Sequence, residues 1–141
     1  MLQVVAAIRY ITNGTMLQNI RDMYEAVEVS DSLKTMKERV GALITLYEDS
    51  LNYTKSFDNQ DAQDFLARRL YDMTAELVMS LLILRDATKA PELFEKSANV
   101  YVHMAEEDVI GKSAYIRMFK PEDLKSFQAA EPETAGSNEV Q

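Results

Sequence analysis

Apolar residues recur at alternating steps of three and four through the middle of this 141-residue sequence, and that spacing constrains the fold more than any other feature. The clearest run places one residue per helical turn on a single face, as in helix bundles: Leu33, Met36, Val40, Leu43, Tyr47, and then Ser50 or Leu51. Four glycines and three prolines are too few for a turn-rich sandwich or barrel. The sequence therefore predicts an all-α protein, an up-and-down bundle of three to four long helices.

The first segment is predicted to be an apolar helix from Leu2 to about Thr12, ended by Asn13–Gly14. It is apolar on almost every side, and such a helix is normally enclosed by other structure. Thr15 is the predicted N-cap of the next helix, whose apolar positions extend to Val27. Ser30, Asp31 and Ser32 are each candidate N-caps for the first long helix.

The second long helix is predicted from about Ala62 to Thr88, with Asp58 or Asp61 as its cap. Its C-terminal half is apolar on most faces, so we expect it at the centre of the bundle. The third long helix runs from Pro91 to Phe119, because proline suits a first helical turn. Gly111 inside this helix lowers its stability by about 1 kcal/mol relative to alanine and is predicted to mark a closely packed neighbour.

The end of the chain has a different composition. A short final helix is predicted over residues 121–128, after the break at Lys120–Pro121. From Ala130 onward the residues are small, polar or acidic, which predicts a disordered C-terminal tail over residues 130–141.

Net charge excludes some classes of partner. The chain carries a net charge of −8, which argues against nucleic acid as a partner and against an anionic lipid surface. It has no cysteine, and its start lacks the basic region of a secretory signal. Its most apolar stretch, residues 77–84, is far shorter than the ~20 residues of a transmembrane helix. These features favour a cytoplasmic protein with no transmembrane segment.

The candidate metal site centres on the only histidine, His103, with Glu106 and Glu107 three and four residues later. This spacing places the three side chains near one helix face. A di-iron bundle needs two Glu-x-x-His elements, whereas here the order is reversed and occurs once. A pair on the helix surface is therefore the favoured interpretation over a metal ligand or general base.

The remaining candidates for chemistry also favour structural roles. Acidic clusters at helical spacing in an acidic protein are usually solvated faces: Glu25 with Glu28, Glu48 with Asp49, and Glu106–Glu107–Asp108. Asp108 and Lys112 are predicted to form a partly buried pair that sets packing. Arg68–Arg69 is predicted to be an exposed pair rather than an anion site. Four methionines are predicted to fill gaps in the core: Met23, Met36, Met73 and Met104.

No Gly-rich phosphate loop, Ser-His-Asp arrangement or nucleotide fingerprint occurs in the sequence. We therefore predict no catalytic, cofactor-binding or metal-ligating residue in this chain.

Two stretches resemble a known family. Leu2-Gln3-Val4-Val5-Ala6-Ala7-Ile8-Arg9 is similar to the last helix of the acyl-CoA dehydrogenase catalytic domain. A second set resembles the extra C-terminal helical domain of the larger bacterial acyl-CoA dehydrogenases: residues 67–70, residues 81–89 with the sequence LLILRDATK, and residues 91–98 with the sequence PELFEKSA. The two matches occur in the order found in the family.

The resemblance implies a parent enzyme that uses FAD and a glutamate base to oxidise an acyl-CoA to the 2,3-enoyl form. In many family members that glutamate lies in a Tyr-Glu-Gly sequence just before the helix that Leu2 begins here. The family's flavin-contacting glutamine falls at the position of Met1. No catalytic or FAD-binding residue of the family therefore carries over, and the resemblance implies no cofactor in this chain.

The leading hypothesis is a non-catalytic structural or oligomerisation domain of such an enzyme. Residues 1–14 are then the last helix of a missing catalytic domain, residues 15–129 the helical bundle, and residues 130–141 the tail. The expected partners are its own catalytic domain, further copies of itself and an electron-transfer protein for the parent. The alternative is a free-standing helical adaptor that binds a partner helix. A small enzyme with a carboxylate site is the least favoured hypothesis.

Overall fold

The computed structural model describes Ile11 and residues 13–130, with side chains up to Lys125. These residues form five α-helices and one 3₁₀ turn: α1 (Thr15–Ala26), the turn Asp31–Leu33, α2 (Lys34–Lys55), α3 (Gln60–Lys89), α4 (Pro91–Met118) and α5 (Pro121–Ala130). The all-α prediction is confirmed. The predicted helix at residues 2–12, apart from Ile11, and the predicted tail beyond Ala130 lie outside the described residues.

The long helices α2, α3 and α4 pack against one another in an up-down-up arrangement. Short links make neighbours in sequence antiparallel, since Ala90 alone separates α3 from α4. Later residues of α2 contact later residues of α4. Arg39 bonds Glu106, and further along both helices Ser50 bonds Ser113. These two helices are therefore parallel, as the bundle prediction requires.

Helix α3 occupies the centre, as predicted. Its inward residues are almost wholly inaccessible, and they contact α1, α2 and α4 at once: Ala62, Leu66, Leu70, Met73, Leu77, Leu81, Leu84 and Ala87. Burial of each large aliphatic side chain stabilises the fold by about 1.5 to 3 kcal/mol before chain entropy is counted. The bundle therefore has a continuous core along its length.

Several capping residues differ from the sequence prediction. Gly14, with a φ of 84°, is the N-cap of α1, whereas Thr15 is its first helical residue. A glycine adopts this left-handed backbone without strain. Asn59 caps α3 by accepting a hydrogen bond from the Ala62 amide at 3.1 Å, so the prediction of Asp58 or Asp61 was wrong.

The chain after α1 turns through the 3₁₀ element before α2 begins. Ser30 precedes that turn, so of the three candidate caps it caps the turn, and α2 itself begins after Leu33. Pro91 stands at the start of α4, as predicted. Its fixed φ and missing amide hydrogen suit the first helical turn.

Two predicted packing positions were wrong. Met104 is 55% exposed and does not fill the core, unlike Met36 and Met73, which are buried. Gly111 has no close neighbour among the described residues, because a Cβ atom built there meets nothing within 4 Å. The close approach occurs at Gly41 instead, where such an atom would lie 2.8 Å from the Tyr24 hydroxyl. The spacing of apolar residues identified the helix faces, but it did not show which faces pack against another helix.

The core contains one tyrosine hydroxyl without a partner among the described residues. Tyr47 is fully buried, its hydroxyl oxygen has no hydrogen bond, and burial raises its pKa. Tyr53, on the same helix, donates a 3.0 Å hydrogen bond to the Phe119 carbonyl. The two tyrosines thus allow a matched comparison.

We expect Tyr47→Phe to raise the free energy of unfolding by about 1 kcal/mol, because a buried unpaired hydroxyl is removed without a change of shape. Tyr53→Phe is the control and should lower it by about 1 kcal/mol, since it breaks a bond and leaves the Phe119 carbonyl unpaired. Urea unfolding followed by circular dichroism measures both. Equal losses in the two variants would show that the Tyr47 hydroxyl has a partner.

Candidate functional site

His103 belongs to an ion-pair group that joins α4 to α2. The Arg39 guanidinium bonds both carboxylate oxygens of Glu106, which is 20% exposed, and lies 3.2 Å from His103 Nδ1. The histidine side chain is itself 63% exposed. Across Ile11 and residues 13–130, no three His, Asp or Glu side chains are grouped so that they could hold a metal ion. The group joins α2 to α4.

Some of the predicted acidic residues are exposed to solvent, and others pair with a basic residue on a neighbouring helix. Glu25, Glu28 and Asp49 are exposed. Glu48, in contrast, pairs with Arg21 and so joins α1 to α2. These carboxylates are either solvated or already paired, and neither environment suits general acid–base chemistry, which needs a desolvated group at a reaction site.

Arg68 and Arg69 do not form the predicted exposed pair. Arg68 is exposed, but the Arg69 guanidinium stacks 4.0 Å from the centre of the Tyr115 ring and 5.4 Å from that of Phe65. Phe65 in turn stacks on Phe119 at 5.3 Å. Arg69 therefore holds the end of α4 against α3 by cation–π contact.

The most perturbed carboxyl group lies where α3 meets α4. One Glu76 oxygen is buried without a conventional hydrogen-bond partner, and its carboxyl group faces that of Asp108. Burial raises the pKa of Glu76 to about 8, with a further contribution from the contact with Asp108. Two acids form a hydrogen bond only when one of them is protonated. Burial and the facing Asp108 carboxylate thus favour the protonated form of Glu76, which can donate a hydrogen bond to Asp108.

Asp108 is the ionised member of this cluster. Its hydrogen bond from Glu76 lowers its pKa, and the paired Lys112 adds to the effect. The predicted Asp108–Lys112 pair is confirmed, with side chains 35% and 23% exposed. The pair of acids resembles an acid–base arrangement, but it lies within a helix contact and not in a cleft. Its geometry suits packing of α3 on α4.

Sequence reasoning missed Glu76. The available signal was a carboxylate inside the apolar half of α3, next to the core position Leu77. Such a residue must pair or become neutral when buried. Its partner Asp108 lies on another helix, so the sequence alone did not bring the two together.

An open depression lies between α1 and the start of α2. Its lining includes Tyr24, Lys34 and Lys37. Lys37 is already engaged, since its ammonium donates a 2.7 Å hydrogen bond to the Val27 carbonyl and lies over the Tyr24 ring. The lining carries both signs of charge. The prediction that this chain holds no cofactor stays a prediction.

Comparison with known proteins shows the family to which this bundle belongs. The model of the family described as "Acyl-CoA dehydrogenase C terminal" matches residues 12–124, and the chain belongs to that family. It is similar to a crystal structure of an acyl-CoA dehydrogenase family protein from Porphyromonas gingivalis, with 34% sequence identity and a TM-score of 0.76. The match covers 82% of this chain and 99% of that one. No curated protein matches significantly.

The family assignment confirms the recognised resemblance and the interpretation of the chain as a C-terminal acyl-CoA dehydrogenase domain. In the described part of the chain, no helix is both long and apolar enough to cross a bilayer.

Proposed function

We propose that this chain is the non-catalytic structural and oligomerisation domain of an FAD-dependent acyl-CoA dehydrogenase. In this proposal residues 15–129 are the helical bundle, and residues 1–14 are the last helix of the catalytic body on which it packs. No residue of the chain acts in catalysis, in flavin binding or as a metal ligand. The domain stabilises the catalytic body and the assembly of copies.

One observation carries this proposal: the family match over residues 12–124 coincides with a bundle whose charged clusters serve to join helices. Arg39 with Glu106, Arg21 with Glu48 and Glu76 with Asp108 each connect two helices. A reactive site would need such groups turned towards a cleft. Charged pairs that connect helices therefore support a structural role for the domain.

The parent is proposed to oxidise an acyl-CoA thioester to the 2,3-enoyl form. FAD, which residues of the catalytic body would hold, would supply the hydride acceptor for that chemistry, and an electron-transfer partner would take up the electrons. Family membership supports this activity, together with a cytoplasmic location for the parent. In this proposal the helical domain positions and stabilises the catalytic body.

The test compares the purified chain with its parent. We expect the purified chain to show no visible flavin absorbance and no acyl-CoA-dependent reduction of an artificial electron acceptor. The parent truncated after residue 14 should keep its flavin, since the flavin contacts lie in the catalytic body, and should have a lower thermal midpoint than the intact parent. Stoichiometric flavin or thioester turnover in the purified chain would contradict the proposal. So would an upstream reading frame that encodes no flavoenzyme.

The free-standing adaptor remains the second candidate, because α4 presents exposed apolar residues such as Leu93 and Met118. An adaptor would lose its cellular partner on deletion of residues 2–12, if that segment is the docking element. A domain of a larger enzyme would remain an unchanged bundle after the same deletion. Size-exclusion chromatography of the two forms separates the hypotheses.

A further inference from the structure

The link between the first segment and α1 contains the only Asn-Gly dipeptide in the sequence, Asn13–Gly14. Every other asparagine precedes a larger residue: Ile, Tyr, Gln, Val or Glu. The carbonyl carbon of an asparagine side chain can be attacked by the backbone nitrogen of the next residue, and a Cβ atom on that residue crowds the nitrogen. Glycine has no Cβ atom, so Asn13 is the asparagine whose neighbour hinders this attack least.

The turn formed by these two residues is open to water. Asn13 is exposed, and Gly14 is half-buried. Gly14 has a φ of 84°, the one positive value among the described residues, and glycine adopts it without strain. A Cβ atom built on Gly14 meets nothing within 4 Å apart from its chain neighbours. No packed side chain therefore shields the Gly14 backbone from the side chain of Asn13.

A hydrogen bond holds the Asn13 side chain close to the Gly14 peptide. Asn13 Oδ1 accepts a bond of 2.9 Å from the backbone amide of Thr15. This bond closes a turn around Gly14, so the side-chain carbonyl lies on the side of the peptide nitrogen that can attack it. The Thr15 amide also stabilises negative charge that develops on Oδ1 during the attack. The side chain is thus both positioned and polarised for reaction with Gly14.

One contact opposes the reaction. The Gly14 amide donates a hydrogen bond of 3.2 Å to the Ile11 carbonyl, and the nitrogen must lose this hydrogen before it attacks. That distance is at the long end of the range for such bonds. The bond also lies outside the regular helices, where local opening costs little free energy. The contact therefore slows the attack without preventing it, and the extent of reaction grows with the age of the protein.

We propose that Asn13 is a site of spontaneous deamidation that changes the link between the first segment and the bundle. The Gly14 nitrogen bonds to Cγ of Asn13, the Cγ–Nδ2 bond breaks, and ammonia leaves with the hydrogen from Gly14. The product is a five-membered succinimide ring. Water then opens the ring at either carbonyl carbon. One opening gives aspartate, and the other gives isoaspartate, in which the main chain passes through Cβ and Cγ.

The two products have different effects on the fold. Aspartate keeps the length of the main chain, still accepts the bond from Thr15, and places a negative charge near the N-terminus of α1, where it is favourable. Isoaspartate adds one carbon atom to the main chain between Ile11 and Thr15. Ile11 is 1% exposed and belongs to the core. The longer link must displace Ile11 or the first turn of α1, so the isoaspartyl form is the less stable one.

Incubation of the purified chain in mildly alkaline buffer tests the site. Trypsin cleavage after Arg9 and Arg21 releases a peptide that contains both Asn13 and Asn19. Mass spectrometry should show this peptide gaining about one dalton, with fragment ions that place the gain at Asn13. Asn19 is also exposed but precedes isoleucine, so it is an internal control and should react at least about tenfold more slowly. Synthetic peptides with each product distinguish aspartate from isoaspartate by chromatography.

Two variants test the chemistry and its effect on the fold. Gly14→Ala should slow the conversion of Asn13 by about tenfold or more, because the methyl group crowds the attacking nitrogen. It also strains the turn, so Asn13→Ser is the second variant: its hydroxyl can accept the bond from Thr15 but cannot form the ring. During incubation the thermal midpoint of the natural chain should fall by about 3 °C or more as isoaspartate accumulates, while that of Asn13→Ser stays constant. Asn13→Asp should match the freshly purified chain.

Three results would overturn the proposal. The first is equal conversion of Asn13 and Asn19. The second is no gain in mass at Asn13 in the time that half of a synthetic peptide of residues 10–21 is converted. The third is equal loss of thermal midpoint in the natural chain and in Asn13→Ser, which would show that isoaspartate at this link does not weaken the fold. All of these are measured on the chain alone and leave the flavin and turnover tests of the proposed function unaffected.

Discussion

Leu77→Ala is expected to lower the free energy of unfolding by about 3 to 4 kcal/mol. Leu77 is fully buried near the middle of α3, the helix that contacts α1, α2 and α4. Truncation removes buried aliphatic surface and leaves a cavity that three surrounding helices cannot close by a small shift. Urea unfolding followed by circular dichroism gives the difference.

Met79→Ala is the matched control for this prediction. It lies two residues away on the same helix, and its side chain is 49% exposed. Alanine also has the higher helix propensity, so the stability should change by less than about 0.5 kcal/mol. Equal effects of the two substitutions would mean that Leu77 is not at the centre of a packed core.

Glu76→Gln is expected to stabilise the protein in alkaline solution and to have little effect near pH 5. Folding raises the pKa of Glu76 from 4.5 to about 8, chiefly through burial. Between these two values the folded state binds the proton that the unfolded state has released. The stability of the natural protein therefore falls as the pH rises from about 4.5 to about 8. Glutamine has no proton to lose and still donates a hydrogen bond to Asp108.

The advantage of Glu76→Gln over the natural protein should reach about 1 to 2 kcal/mol at pH 8.5 to 9, a value reduced for the partial solvent exposure of the group. Asp108 contributes in the opposite sense and in a separate range. Its lowered pKa gives stability that is present above 3.8 and is lost as the pH falls through its folded-state value. The measurement is urea unfolding at pH 5, 7 and 9.

Glu107→Gln provides the control for the pH series, because Glu107 is exposed on α4 beside Asp108. Its stability difference from the natural protein should be nearly independent of pH. If the curves of Glu76→Gln and the natural protein ran parallel from pH 5 to 9, the buried proton assigned to Glu76 would be ruled out. Such a result would indicate that the α3–α4 contact admits water.

The sequence specified the local structure well. Steps of three and four between apolar residues predicted α2, α3 and α4 to within a few residues, and α3 was correctly placed at the centre. The errors were at the helix starts, where Gly14 and Asn59 proved to be the caps. Ser, Asp and Asn all favour such positions, and the choice among neighbours depends on the path of the chain into the helix.

The site was less predictable than the fold. The Asp108–Lys112 pair was found because both residues lie one turn apart on one helix. Glu76 was missed, and Arg69 was mistaken for an exposed residue, because their partners lie on a different helix. Met104 was misplaced for a related reason, since a helix can carry apolar residues on more than one face.

The sequence by itself determined that this chain is helical, where its long helices lie and which of their faces are apolar, because backbone periodicity and local turn signals act over a few residues. The tertiary structure alone decided which apolar face of α4 enters the core and which remains outside. It also placed the Glu76 carboxyl group against Asp108, where burial raises the pKa of Glu76. Both results depend on how much solvent and charge neighbouring helices leave around a side chain, and that follows from packing between residues distant in sequence.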